Sequence, residues 1–135
     1  ESIIKNKKIN IEIKWSSSKP IVRGERFLIL QVFENIILNA IEFSPIEGKI
    51  IIESVTDKKT DQIFVRDQGP GIPEYAKEKI FNKFYSLERP SGKKSTGLGL
   101  SFVMEALSFH NGMIELEPSS HEMSGANFKV SFFKS

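Results

Sequence analysis

Two asparagines one helical turn apart, Asn35 and Asn39, stand in the stretch QVFENIILNAIEFSP, residues 31–45. At 3.6 residues per turn, a spacing of four puts both amides on one stripe, with Gln31, Glu42 and Phe43 near it. Asn is a poor helix-interior residue, because its side chain competes for the backbone's own hydrogen bonds. Taken alone, the pair is most simply one solvated amide and one capping amide. A second group, Asp67-x-Gly69-x-Gly71, follows an extended stretch directly. Its glycines permit a tight turn and a close backbone approach to a ligand, and its carboxylate can accept from an exocyclic amine. A third, Gly97-x-Gly99, opens a helix whose first amides point outward and whose dipole favours phosphate. A plain turn accounts for the second group alone, and a helix cap at Thr96 for the third. Together, and in this order, the three are far more specific.

The elements that must position these groups follow from periodicity. Ile9, Ile11, Ile13 and Trp15 alternate with polar residues, the mark of a half-buried strand. A turn at 16–20 and a short extended segment at 21–23 lead to Gly24-Glu25, which opens the long helix; Ser44-Pro45 with Gly48 closes it. Within that helix Phe27, Leu30, Phe33, Ile37 and Ile41 recur at threes and fours, which suits packing on a sheet, with Asn39 exposed on the opposite stripe. Lys49–Val55 reads as a strand suited to a central position, and Gln62–Arg66 pairs back across a polar turn at 57–61. Glu74–Lys79 is expected to be a short helix, and 86–96 a basic, non-periodic mobile loop. Leu98–Phe109 forms a second amphipathic helix ended by Asn111-Gly112, and 113–117 with 126–133 closes the chain as a hairpin. The expected fold is a two-layer α/β sandwich, a mixed sheet of about five strands covered on one face by about three helices.

Composition removes several classes of function. With 135 residues and 39% apolar content, the chain is expected to be one domain with its own core. A net charge of +2 with scattered lysines gives no footprint for nucleic acid. The chain has no cysteine, so it has no disulfide framework and no thiolate metal site. No apolar run reaches bilayer length, and no signal-peptide pattern or internal repeat is present. The start at Glu1 reads as a piece cut from a longer protein.

The segments ENIILNAIEFSP, VRDQGPGIP, IFNKFYSLERP and STGLGLSFV resemble the N, G1, F and G2 boxes of the catalytic ATP-binding domain of sensor histidine kinases. That family shares the Bergerat fold with gyrase, the heat-shock chaperone and MutL. The resemblance covers nearly the whole chain, and the stretch at 84–103 is most similar to carbon-source-responsive sensor kinases. It implies ATP and Mg²⁺ as ligands, with Asn39 holding the metal through its amide oxygen and Asn35 assisting. It implies Asp67 as the reader of the adenine amine, Gly69 and Gly71 as shapers of its pocket, and Phe43 as the aromatic on the base. Gly97 and Gly99 match the phosphate side of a lid at about 82–97, which Phe81 and Phe84 would dock on the core. The implied ATP-binding set also takes in Ile72, Lys83, Phe84, Tyr85, Arg89, Thr96, Leu98 and Leu100. Lys93 and Lys94 are further lid cations, and Arg89 can hold a phosphate bidentately.

Two positions depart from the family pattern. Glu42 stands where a Lys or Arg is usual, and Ser95 replaces the first glycine of the G2 box. The implied reaction passes the γ-phosphoryl group to a histidine on a dimerisation domain outside this chain, with a response regulator as the next partner. The resemblance also implies a monomeric fragment of a homodimer, on the cytoplasmic side of an inner-membrane bacterial sensor. His110 and His121 read as structural. Two other readings remain: a hydrolytic relative of gyrase and MutL, which places Glu where Asn35 stands, and a degenerate module that binds nucleotide or a partner without turnover.

Overall fold

The computed structural model describes residues 7–15, 24–88 and 97–134. Five strands form one sheet: β1 (Asn10–Lys14), β2 (Lys49–Thr56), β3 (Thr60–Arg66), β4 (Gly112–Glu117) and β5 (Asn127–Phe133), in the order β1-β2-β3-β5-β4. β1 runs parallel to β2, and every other pairing is antiparallel, so the sheet is mixed. Two helices, α1 (Arg26–Phe43) and α2 (Gly99–Phe109), lie on one side of it. The apolar run in β2 suits its place, because a strand flanked on both edges buries more than an edge strand.

Register decides what faces the helices. Val65 stands opposite Phe128, and Ile63 and Ile114 both stand opposite Val130. These side chains join Val32, Ile36, Ala40, Val103, Ala106 and Leu107 in one core. The alternate residues point the other way and carry the ion pairs of an open face. Lys49 meets Glu12 at 3.5 Å, Arg66 meets Glu53 at 2.6 Å, and Lys129 meets Glu115 at 3.4 Å. The Arg66 guanidinium also lies 4.5 Å from the centre of the Phe64 ring.

Three expectations are corrected. The stripe that α1 buries most deeply is Val32, Ile36 and Ala40 rather than one through Phe27 and Leu30, which are exposed. Phe33 and Ile37 do pack on the core and Ile41 is buried, so the expected stripe holds only after the first turns. The segment after Pro73 is a 3₁₀ turn at Glu74–Ala76 followed by further turns, not an α-helix. Its bonds Ala76 N–H to Pro73 and Lys77 N–H to Glu74 span three residues. Finally, α2 begins at Gly99, with Leu98 in the N-cap place. The extended segment expected at 21–23 lies outside the described residues.

α1 and α2 are tied at the end of the molecule away from Asp67. The His110 Nε2 accepts from the Glu25 backbone N–H at 3.0 Å, so Nδ1 carries the proton and donates to the Ala106 carbonyl at 2.7 Å. Glu25 caps α1 by accepting from the Leu28 N–H at 2.8 Å. Gly24 lets the chain pass the imidazole: a Cβ there would lie 2.1 Å from a ring carbon. Among the described residues, no helix is long and apolar enough to cross a membrane.

Candidate functional site

The loop after β3 is fixed from several sides. Asp67 is 1% exposed, and its Oδ1 accepts from the Gly69 N–H at 2.8 Å. Its carbonyl accepts from the Gly125 N–H at 2.9 Å. The Gln68 amide accepts from the Lys49 N–H at 2.8 Å and donates to the Glu122 carbonyl at 3.1 Å. The Ser124 hydroxyl donates to the Gly69 carbonyl at 3.2 Å. Burial pushes the Asp67 carboxyl up to about 6, against the backbone N–H groups of Gly69 and Ala126, which hold it down. The carboxyl is therefore ionised at neutral pH, ready to accept from an amine.

Glycine is required here for reasons of space. A Cβ on Gly69 would sit 2.6 Å from the Phe43 carbonyl oxygen. One on Gly125 would sit 1.7 Å from the Asp67 Oδ1. Gly71 has φ +80°, the left-handed region that side chains disfavour. Gly125 was missed by sequence reasoning, because it lies in the β4–β5 connection and meets Asp67 only through the fold.

A cavity of about 180 Å³ opens beside this loop. Asn35, Asn39, Glu42 and Phe43 of α1 line one wall, Ile72 and Ile80 another, and Tyr85, Ser86, Leu87, Gly97, Gly99 and Leu100 the rest. Asn39 is 9% exposed, which corrects the expected solvent-facing position: the cavity wall, not open water, surrounds its amide. The Asn35 Nδ2 donates to the Gln31 carbonyl at 2.9 Å, as a helix-interior Asn does when it bonds back to its own helix. That commits the nitrogen and turns Oδ1 toward α2, where it would lie 3.3 Å from a Cβ on Gly99. The missing Cβ keeps this approach open.

The wall formed by α1 is held from behind. The Lys7 Nζ donates to the carbonyls of Ile41, Glu42 and Ser44, each at 2.9 Å. A cation at a helix C-terminus satisfies orphan carbonyls and opposes the negative end of the dipole. No motif marked Lys7, since a lone lysine before a strand carries no signal of a partner thirty residues on.

The remaining expected site residues divide. Asp67, Gly69 and Gly71 do not line the cavity itself: Gly69 packs on the backbone of Phe43, which does, and Gly71 lines a second pocket with Ile72, Ser124 and Gly125. Lys83 is exposed, and neither it nor Leu98 is among the residues of the wall. Phe84 is 77% exposed, which corrects its expected role as an anchor. Its backbone is left-handed, φ 67°, with its N–H on the Gly97 carbonyl at 2.9 Å, and its ring is left in solvent. Phe81 does pack, edge-on to Phe128 with ring centres 6.4 Å apart. Arg89, Lys93, Lys94, Ser95 and Thr96, with most of the expected mobile loop, lie outside the described residues. His121 is exposed.

Amide side chains on one helix and a glycine-opened helix start thus line one cavity, and a buried carboxyl stands in the loop beside it. The family model for histidine kinase-, DNA gyrase B- and HSP90-like ATPases matches residues 24–135. The chain belongs to that family. Within it, the resemblance is to sensor kinases. The sensor protein CreC of Escherichia coli is 43% identical over 95 residues, 70% of this chain and 20% of that protein. The adaptive-response sensory kinase SasA of Gloeothece citriformis is 34% identical over 130 residues, 95% of this chain and 33% of its own length. Among solved structures, the catalytic domain of the histidine kinase ThkA superposes with a TM-score of 0.84 at 31% identity, covering 98% of this chain and 85% of that one. This is an ATPase-family catalytic domain homologous to those of histidine kinases, and it carries the Bergerat fold of that family.

Members of this family bind ATP, generally with Mg²⁺, a hard cation that takes oxygen ligands. The residues present fit it. Asn35 has its nitrogen engaged and its oxygen directed at the open start of α2. Asn39 and Glu42 line the same wall and supply further oxygens. No cluster of three His, Cys, Asp or Glu that could hold a metal occurs among the described residues.

Proposed function

We propose that this domain binds Mg·ATP in the cavity and presents the γ-phosphoryl group to a histidine on a dimerisation domain. The observation that carries the reading is a cavity lined by Asn35, Asn39 and the start of α2, beside a loop that holds the buried, ionisable carboxyl of Asp67. Asp67 accepts from the adenine amine, Gly69 and Gly71 give the base room, and Phe43 packs near it. Ile72, Tyr85 and Leu100 close the apolar sides. Backbone N–H groups from Gly97 onward meet the phosphates, aided by Arg89, Lys93, Lys94, Lys83 and Thr96 as 82–97 closes as a lid. The metal, when bound, neutralises phosphate charge, and Asn39 and Asn35 hold it there. Catalysis then rests on positioning and charge, as is usual for phosphoryl transfer.

The acceptor belongs to another domain. Both His110 ring nitrogens are occupied by backbone partners, so that residue is a strut. The place where hydrolytic relatives carry a general base holds Asn35, which favours transfer over hydrolysis. The chain spans 20–33% of the length of the two curated relatives above, leaving room in such proteins for sensor and acceptor domains. A response regulator is the downstream partner; ThkA has been crystallised with its regulator TrrA. The setting is the cytoplasmic side of a bacterial sensor.

Radiolabelled ATP with Mg²⁺ tests the assignment. The domain alone should bind nucleotide and retain no label. Adding the dimerisation helices in trans should give weak, acid-labile and base-stable label on those helices, since tethering normally supplies roughly millimolar effective concentration. Acid-labile label on this domain itself would overturn it.

A further inference from the structure

The carbonyls of Ile41, Glu42, Phe43 and Ser44, at the end of α1, are directed to two different parts of the molecule. Those of Ile41, Glu42 and Ser44 accept from the Lys7 Nζ, each at 2.9 Å. That of Phe43 lies against the loop after β3, where a Cβ on Gly69 would sit 2.6 Å from its oxygen. Phe43 itself is buried and lines the cavity. An ammonium has three donors and no acceptor, so Lys7 spends its whole capacity on this one turn. The backbone is tied here too. The Glu47 N–H donates to the Lys7 carbonyl at 2.6 Å, and the Asn10 N–H to the Gly48 carbonyl at 3.0 Å. Lys8 and Glu47, one on each side of this junction, have left-handed backbones, φ 54° and 63°. Side chains disfavour that region, and such residues persist where the surrounding bonds over-determine them. Residues 7–10 and the turn at 41–48 are thus latched together by side chain and backbone alike.

We infer that Lys7 is a positioning residue for the nucleotide cavity. It sets the turn that carries Phe43, and so couples the hold of residues 7–10 on α1 to affinity for the base. The inference rests on the proposed nucleotide site and adds a control point behind the α1 wall, at a residue that does not line the cavity. Without the ammonium, three helix-end carbonyls lose their donor and the negative end of the dipole loses its counter-charge. The turn loosens, and Phe43 no longer meets the Asp67 loop in a fixed position. The coupling runs both ways: a base that needs Phe43 in place tightens the latch on residue 7. Asn35 and Asn39 precede this turn in α1, so the metal-dependent part of ATP binding is left unaltered.

Calorimetry with adenosine, which has no phosphates, reads the base site in the parent chain and in Lys7→Met, which removes the charge and the donors. Both are compared at a temperature where urea melts show full folding. Lys7→Met should weaken adenosine at least about fivefold, the low end of couplings between sites. Lys7→Arg, which returns a cation with several donors, should recover most of that loss. The ratio of ATP dissociation constants in EDTA and in Mg²⁺ should stay as in the parent, whereas disruption of the whole cavity would change it. Amide hydrogen exchange of the parent is a second readout that needs no variant. Adenosine should slow exchange at the Ser44 and Glu47 N–H groups, which belong to the latch and not to the cavity wall. Unchanged adenosine affinity in folded Lys7→Met, or exchange at Ser44 and Glu47 unmoved by adenosine, overturns the role of Lys7 while leaving the nucleotide site standing. Equal weakening by Lys7→Met and Lys7→Arg overturns it as well. Failure of the parent chain to bind adenosine and ATP overturns the nucleotide site, and this inference with it.

Discussion

The loop around Asp67 and the start of α2 are held in different ways. Asp67, Gln68 and Gly69 are bonded to one another, to the start of β2 and to the β4–β5 connection. At the other end α2 starts behind Leu98, whose side chain cannot accept a hydrogen bond, whereas the start of α1 is capped by Glu25. The loop around Asp67 is held by side-chain and backbone bonds of the fold, and a helix start without a side-chain cap suits a phosphate ligand. Recognition of adenine should therefore be lost by disturbing packing, and recognition of phosphate by supplying a competitor.

The largest effect should come from Gly125→Ala, which drives a methyl into the Asp67 carboxylate. Loss of stability on the order of 1–3 kcal/mol is expected from the overpacking, with loss of detectable adenosine binding; urea melts and calorimetry check both. Asp67→Asn should weaken ATP by about 1.5–3 kcal/mol, the range for a hydrogen bond to a charged group, and narrow the preference for ATP over GTP. Equal binding of ATP and GTP by the parent would remove Asp67 as the base reader.

The raised Asp67 carboxyl gives the base end a pH dependence with two opposite signs. Between its ordinary value of 3.8 and about 6, the folded state keeps a proton that the unfolded chain has lost. Its contribution to stability is thus fully present below the lower value and is lost as pH rises through about 6, by roughly a few kcal/mol. Binding of adenosine, which has no phosphates, should instead weaken as pH falls below about 6, approaching tenfold per unit. Parallel titrations of Asp67→Asn should be flat in this window.

Two smaller changes probe the phosphate end. Asn39→Ala should reduce the Mg²⁺ enhancement of ATP binding by roughly tenfold, about 1.4 kcal/mol. Because Asn39 is buried at the wall, a modest fall in melting temperature should accompany it. Leu98→Ser would supply the missing cap, stabilising α2 by about 0.5–1 kcal/mol while weakening ATP several-fold and leaving adenosine unchanged. Equal weakening of both ligands would show that the helix start does not serve phosphate.

Local pattern was enough to put Asn35 and Asn39 on one stripe of α1, Asp67 in a glycine turn after β3 and Gly99 at the start of α2, since each depends on near neighbours in the chain. The five strands were legible for the same reason. Gly125 and Lys7 were not, because each acts on a group far along the sequence and neither belongs to a local pattern. Phe27 and Leu30 share the apolar spacing of α1 but stand in its first turns, where periodicity cannot tell how far the core extends. Phe84 was misplaced because a left-handed φ turns a side chain out of the direction its neighbours suggest. Asn39 was legible as part of the Asn35 stripe but not as buried, for burial at a cavity wall requires the opposite wall.

Lys7 has a consequence for chemical labelling. All three of its ammonium hydrogens are committed to carbonyls at the end of α1. Acylation needs an accessible nitrogen, and reaching this one means first breaking its three bonds to the helix terminus. Lys58, Lys59 and Lys83 are exposed. An amine-reactive reagent should therefore modify those three early and Lys7 late, and mass spectrometry of partly labelled protein would read the order directly. A chain in which Lys7 reacts early is one whose α1 has lost its hold on the wall of the cavity.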